Sequence, residues 1–528
     1  MTSAQRCLGT ALDGVGVTVD SRRAASAPTA EPTVLGVYTR LLDGLARARV
    51  PWCYWKSSRR AAAVLAGESD LDILVAPDGQ SDARRVLSEC GFRQFSTVPS
   101  RSDATVACYL AFDEQSGQIA HVDLHTQLKL GGTLLKTHRL PWEDTLIRDA
   151  APRADLRLPL LDPASEAVLL VVRACLELRR SDPVVAHNWS ALTEKFALDR
   201  ADLAARVDYD AIRARAAQLL NEPLAVPVAQ AMFDPLPLQH LRPLRRRLRR
   251  ALARYRTCGV LASLVRGAAR GCDAAAGRLN RDALHWPRPW NRRVKDGGVV
   301  VAVVAVDGAG KSTLVRGLCD WLGPEVDVLP LYFGTGDGRP SWFLLPLKLM
   351  VPLVLRLLPR KPKGASHGVV TGSAPGLGYG LLLALWACVL ALEKRLKLRT
   401  AQRAAQRGMV VITDRYPQNE LADFNDGPLL PRLPRVPGWL RTFEASAYDL
   451  AARLHPDLVI KLVAAPELIA TREPTMDPAV IRARVAGVRQ LKLGGAPIAT
   501  ISAALPAAEV LRVAKLRIWR VLQARDRE

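Results

Sequence analysis

The sequence predicts an α/β protein in several parts: an α+β first part, a helical middle, and a last part built on a parallel sheet with helices on both faces. Three observations carry this. From residue 299 onward, short runs rich in Val and Ile alternate with helical stretches, the pattern of a covered parallel sheet. Between residues 163 and 278 the apolar spacing is helical and no strand pattern interrupts it. Before residue 150, alternating segments such as DLDILVA mix with helical ones.

At 528 residues the chain has room for two or three domains, each with its own core. The expected division is a disordered tail over 1–32, an α+β domain over 33–150, a helical connector over 151–284, a linker over 285–298 and an α/β domain over 299–528. The tail is small, polar and Pro/Ala-rich. Residues 34–48 space their apolar side chains as a helix does. WCYW (52–55), DLDILVA (70–76), VACYLAF (106–112) and IAHVDLHTQL (119–128) read as strands. HWPRPWNRRVKDGG (285–298) carries the Pro, Trp and Gly of a linker.

Two long apolar stretches follow in the last part. FLLPLKLMVPLVLRLL (343–358) is interrupted by prolines and by Lys348 and Arg356, which argues against a span. LGYGLLLALWACVLALE (377–393) is shorter than the ~20 apolar residues a spanning helix needs. It reads as a buried helix, with peripheral membrane contact as the alternative.

Apolar residues make up 49% and charged residues 24%, which excludes a disordered or fibrous chain. Seventy-four Lys and Arg against 51 Asp and Glu leave a net charge of +23. With aromatics at 5%, too sparse for a stacking surface, anionic phosphate substrates are expected and no specific nucleic acid is, with a polyanion partner as the alternative. The run Arg245–Arg250 reads as a solvated helix face, with a phosphate or acidic contact as the alternative. Nine scattered cysteines form no C-x-x-C pair, and the first residues lack a signal-peptide core. A cytoplasmic protein without disulfides or zinc fits that pattern. Oligomeric state stays open, a homodimer among the options.

The densest signal is VVVAVVAVDGAGKSTLVR (299–316). A strand buried on both faces runs into a turn, Gly308-Ala309-Gly310-Lys311-Ser312, and then a helix. Missing side chains let backbone N–H groups close around a polyphosphate, and the helix N-terminus adds its positive end. Lys311 offers a cation and the Ser312 hydroxyl a ligand for Mg²⁺. The pattern is G-x-x-x-x-G-K-[ST] with Ala305 in its first position. ATP and Mg²⁺ are therefore the expected cofactors.

Asp414-Arg415-Tyr416 ends the strand MVVIT; its carboxylate can hold Mg²⁺ or its water, and Arg415 can clamp a phosphate. Asp307 lies in the loop, facing whatever meets the γ-phosphate. Thr471-Arg472-Glu473, with Arg482 and Arg484 soon after, suits an arginine-bearing flap.

AVDGAGKST (305–313), RGMVVITDRY (407–416) and PDLVIKLVAAPELIATRE (456–473) together resemble the thymidylate kinase family of P-loop kinases. The resemblance implies ATP- and Mg²⁺-dependent phosphoryl transfer to a nucleoside monophosphate or related acceptor. Gly308, Ala309, Gly310, Lys311, Ser312 and Thr313 would hold ATP and Mg²⁺, Asp307 would position the acceptor, Arg415 would touch the acceptor phosphate, and Arg472 would lie on the lid side. The family's acceptor-reading helix is polar, whereas GLLLALWACVLALEKRLK (380–397) is almost wholly apolar. The stretch GTGDGRPSW (334–342) replaces its acceptor loop. An acceptor other than dTMP is expected.

In the first part, Asp70 and Asp72 stand two apart, so on a strand they share a face, and Asp123 offers a third carboxylate for a divalent cation. The arrangement resembles the nucleotidyltransferase fold, which implies a nucleotidyl-transfer site there, active or retained as a regulatory domain. Trp55-Lys56-Ser57-Ser58 stands where that family has a glycine turn. His121 and His125 read as packing or local hydrogen-bond residues. Two alternatives remain beside the kinase: nucleotidyl transfer with the last domain as nucleotide sensor, and a non-enzymatic nucleotide-gated binding protein.

Overall fold

A computed structural model of the chain describes residues 34–99, 101–132, 135–178, 182–234, 241–280, 284, 286–334, 377–421, 427–432 and 436–525. The expectations for 1–32, for the loop 335–342 and for the apolar stretch 343–358 lie outside the described residues. The chain divides into two units, one ending at Leu284 and the other beginning at His285.

In the first unit, strands β1 (Trp52–Tyr54), β2 (Leu71–Val75), β3 (Arg93–Thr97), β4 (Val106–Asp113), β5 (Gln118–His125), β8 (Ala151–Arg153) and β9 (Leu158–Leu160) run in the order β3-β4-β5-β2-β1-β9-β8. A separate hairpin joins β6 (Leu128–Gly131) to β7 (Lys136–Leu140). One face of the sheet is apolar because alternate residues point the same way: Leu71, Ile73 and Val75 of β2 meet Val122 and Leu124 of β5. The helix Gly36–Arg47 covers that face, burying Val37, Tyr38, Leu41, Leu42 and Leu45 at helical spacing.

The other face meets the helical part. Pro163–Glu177 is held at its start by Asp162, whose carboxylate accepts from the Ser165 N–H at 3.0 Å, with Pro163 at the first turn. It is apolar on nearly every side and lies at the centre of a cluster that also takes Phe196, Leu203, Ile212, Val228 and Leu248. Tyr209–Leu219 and Glu222–Phe233 are capped in the same way by Asp208 and Asn221. In Arg242–Ala251, Leu244 and Leu248 face inward one turn apart, and the arginine run is mostly exposed.

In the second unit, β10 (Arg292–Val294) leads to β11 (Val299–Ala305), β12 (Val328–Tyr332), β13 (Val410–Asp414), β14 (Leu458–Val463) and β15 (Ile498–Ser502). The last five form a parallel sheet in the order β12-β13-β11-β14-β15. Every residue of β11 is buried, so both faces are covered, as the unbroken Val/Ala run requires. The fold is α/β as expected.

From β11 the chain passes to β12, returns to β13 beside β11, and crosses to β14 on its other side. The crevice beyond the carboxyl end of β11 is therefore the topological switch point, where such sheets bind ligands. The helix Leu377–Gln406 buries Ala384, Ala387 and Ala391, while Leu385 and Leu392 are exposed. No helix among the described residues is long and apolar enough to cross a membrane. The eight described cysteines are free.

Candidate functional site

At the switch point, β11 ends at Ala305 and the helix Lys311–Leu322 begins after Gly310. The turn needs two left-handed residues, and glycine supplies both: φ is 80° at Gly308 and 92° at Gly310. A side chain at Gly308 would put its Cβ 2.7 Å from Glu473 Cγ, whereas the space beside Gly310 is open.

Lys311 is 6% exposed, and its ammonium donates to Val306 O at 2.9 Å and Asp307 Oδ1 at 3.1 Å. Asp307 also receives Arg415 Nη2 at 2.6 Å and Arg484 Nη1 at 3.4 Å. Burial favours the neutral carboxyl of Asp307, but Lys311, Arg415 and Arg484 outweigh it and hold the group below the usual carboxylate range. Burial also lowers Lys311, against the pull of Asp307.

Ser312 Oγ donates to Asp414 Oδ2 at 2.7 Å. Asp414 closes β13, which pairs in register with β11, Val303 opposite Asp414. Its second oxygen, Oδ1, is buried without a hydrogen-bond partner among the described residues. An orphaned carboxylate oxygen beside a hydroxyl fits a hard divalent cation, so the residues present suit Mg²⁺.

Arg415 has φ 69°, a left-handed backbone rare in side-chain-bearing residues, and its N–H donates to Val303 O at 2.9 Å. That bond turns the chain sharply out of β13 and aims the guanidinium at Asp307. Arg472 ends the helix Pro466–Arg472, and its Nη1 donates to Gly308 O at 3.3 Å. Thr313, in the first helical turn, is exposed. The sequence-read residues Asp307, Lys311, Ser312, Asp414, Arg415 and Arg472 thus converge on one turn, joined by Arg484 of the flap segment.

The first unit gathers a second constellation. β2 and β5 are parallel, with Asp72 opposite Asp123 and Leu74 opposite His125. Oxygens of Asp72 and Asp123 and a ring nitrogen of His125 lie within 4.8 Å of one another. Asp70 precedes β2 and instead meets His121 Nδ1 at 2.7 Å, while His121 Nε2 lies 3.1 Å from Asp123 Oδ1. His125, read from sequence as a packing or local hydrogen-bond residue, stands in the cluster and pairs with Asp72 at 2.9 Å, while Asp70 lines the same side and pairs with His121.

A cavity of about 230 Å³ opens beside this cluster, lined among others by Lys56, Asp72, Lys136, Arg173, Glu177 and Lys195. Only Lys56 and Asp72 of these were singled out by sequence; the rest come from β7 and the helical part, whose role no local motif marks. Burial would raise the Glu177 carboxyl, but Lys136 and Arg173 bring it down to about 2. Burial, then Arg60 and Arg173, push Lys195 down to about 8. In Trp55–Ser58, the Ser58 N–H donates to Glu166 at 2.8 Å and the Ser57 hydroxyl to Asp199 at 2.9 Å. The amide that a glycine turn would offer to a phosphate is thereby taken by a carboxylate.

No family model matches the chain. Among curated proteins, the "Uncharacterized ATP-binding protein YghS" of Escherichia coli strain K12 is 32% identical over 217 residues, which covers 40% of this chain and 89% of that protein. The "Uncharacterized ATP-binding protein YghR" of the same strain is 31% identical over 238 residues, 43% of this chain and 90% of that protein.

Proposed function

Because the chain belongs to the family of the E. coli ATP-binding proteins YghS and YghR, we propose that its second unit binds ATP with Mg²⁺ and transfers the γ-phosphoryl group to a small-molecule acceptor. The observation that carries the reading is the buried Lys311 ammonium one residue before a Ser312 hydroxyl bonded to Asp414, at the switch point of a parallel sheet.

Backbone N–H groups of Gly308 to Thr313 surround the phosphates, and Lys311 neutralises their charge. Ser312 and Asp414 hold Mg²⁺, which supplies charge neutralisation on the phosphate oxygens. Asp307 positions the acceptor, and Arg415 binds an acceptor phosphate from its fixed place at the end of β13. Arg472 and Arg484 close over the transferred group and keep water out. Catalysis in this scheme is positioning and charge stabilisation, with no covalent enzyme intermediate. The resemblance to thymidylate kinases supports this reaction class, and the apolar first half (377–392) of the helix Leu377–Gln406 favours an acceptor other than dTMP. The division of the first unit into a nucleotidyltransferase-like part (33–150) and a helical part (151–284) belongs to the same proposal.

The test incubates the protein with Mg²⁺, a panel of nucleoside monophosphates and sugars, and ATP labelled at the α or γ position. Transfer of the γ label to an acceptor, lost in Lys311→Ala, is expected. Movement of the α label would assign the chemistry to nucleotidyl transfer in the first unit instead. If neither label moves and ATP does not bind, the proposal fails.

A further inference from the structure

The cavity of the first unit plays no part in the phosphoryl-transfer scheme, and its charges do not balance. Two helices give it a stripe each. Leu170, Arg173, Ala174 and Glu177 recur at helical spacing on Pro163–Glu177, and Leu192, Lys195, Phe196 and Asp199 do so on Trp189–Ala204. Each stripe brings apolar and charged side chains to one wall.

Among the described residues, five Lys and Arg and four carboxylates line the space of about 230 Å³. All four carboxylates are engaged. Asp70 pairs with His121 at 2.7 Å, and Asp72 with His125 at 2.9 Å and Lys56 at 3.6 Å. Glu177 serves two cations, Lys136 at 3.0 Å and Arg173 at 3.6 Å. Asp199 accepts from Arg59 at 3.0 Å and from the Ser57 hydroxyl at 2.9 Å. Arg60 and Lys195 are left over: neither side chain has a hydrogen bond or ion pair among the described residues. Arg173 adds a further unmet donor, since its Nε is buried without a hydrogen-bond partner. Crowded like charges repel one another, and Lys195 shows it: burial, then Arg60 and Arg173, push it down to about 8.

A triphosphate does not match this wall. It brings more negative charge than two unpaired cations meet, four carboxylates face it, and the Ser58 amide and Ser57 hydroxyl are bonded to Glu166 and Asp199. A phosphate monoester does match. Its charge of about −2 equals that of Arg60 and Lys195, and a third oxygen can accept from Arg173. Leu170, Leu192 and Phe196 offer apolar surface to the organic body.

We propose that this cavity binds the phosphate monoester of a small, partly apolar molecule, with Arg60, Arg173 and Lys195 on the phosphate. Binding there does not depend on ATP in the second unit.

The test uses the full-length Lys311→Ala chain, so that the loop of the second unit competes least, with phenyl phosphate as probe beside inorganic phosphate and benzoate. Calorimetric titration is expected to rank phenyl phosphate tightest, since inorganic phosphate lacks the ring and benzoate the second charge. Arg60→Gln and Lys195→Gln, added to that chain, should each weaken it roughly 10-fold or more. In the wild-type chain, acetic anhydride labelling of Lys195, read by mass spectrometry, locates the ligand even where a variant fails to fold. Phenyl phosphate should protect Lys195, and ATP with Mg²⁺ should not. Absence of phenyl phosphate binding, affinity unchanged in Arg60→Gln or Lys195→Gln, benzoate binding as tightly, Lys195 labelled equally with and without phenyl phosphate, or its protection by ATP would overturn the proposal.

Discussion

Replacing Lys311 with alanine separates the cost to the fold from the cost to the ligand. The ammonium makes two bonds, to Val306 O and to Asp307. Its loss leaves Asp307 still paired with Arg415 and Arg484, so no buried charge is stranded. Val306 O keeps the Ala309 N–H at 3.2 Å, so the loss is that of one hydrogen bond, about 1 kcal/mol, or a melting shift of roughly 2–4 °C for a unit of this size. ATP would lose a hydrogen-bonded charge, about 1.5–3 kcal/mol, which weakens its binding roughly 10- to 150-fold. Calorimetric titration of ATP into the wild-type and Lys311→Ala chains, beside melting curves of both, measures the two quantities. ATP affinity within twofold of wild type in a folded variant would refute the assignment of Lys311 to the triphosphate.

Two further predictions follow from geometry and charge. Asp414→Asn keeps the shape of the Ser312 contact but removes a cation ligand, so Mg²⁺ should no longer strengthen ATP binding while the affinity in EDTA stays unchanged; equal magnesium dependence in both proteins would count against the site. Glu177, held at about 2 against an ordinary value of 4.5, binds fewer protons folded than unfolded as the pH falls. Its contribution, at most roughly 3 kcal/mol, is fully present above pH 4.5 and disappears toward pH 2. Denaturant titrations from pH 6 to pH 3 should lose stability more steeply in the wild-type chain than in Glu177→Gln, and parallel profiles would refute the pairing with Lys136 and Arg173.

The turn of the second unit was legible because its information is local. Val299 to Val306 reads as a doubly buried strand, and Gly308 to Ser312 as a phosphate loop, without knowledge of any distant residue. Asp414 and Arg415 were legible as the carboxyl end of another strand, although the left-handed backbone that aims Arg415 carries no sequence mark. The first unit was harder. The pairing of Asp72 with Asp123 joins residues far apart in the chain, and no periodicity reveals a register of that kind. Period two puts Asp70 and Asp72 on one side only if both lie in the strand, whereas β2 begins at Leu71 and Asp70 turns to His121. His125 looked like an ordinary strand histidine until its neighbour strand was known. Glu166 and Asp199, which occupy Ser58 and Ser57, sit on helices more than a hundred residues away.

The three cations around Asp307 already hold an anion, one tethered to the chain. An incoming solute must displace it, and chloride or another weakly charged ion gains too little from the exchange to do so. A chain of phosphates, which can engage Lys311 and the loop amides together, gains enough. On the proposed reading, with ATP at this loop, the aspartate would set a threshold that a multivalent phosphate chain crosses more readily than a monovalent salt ion.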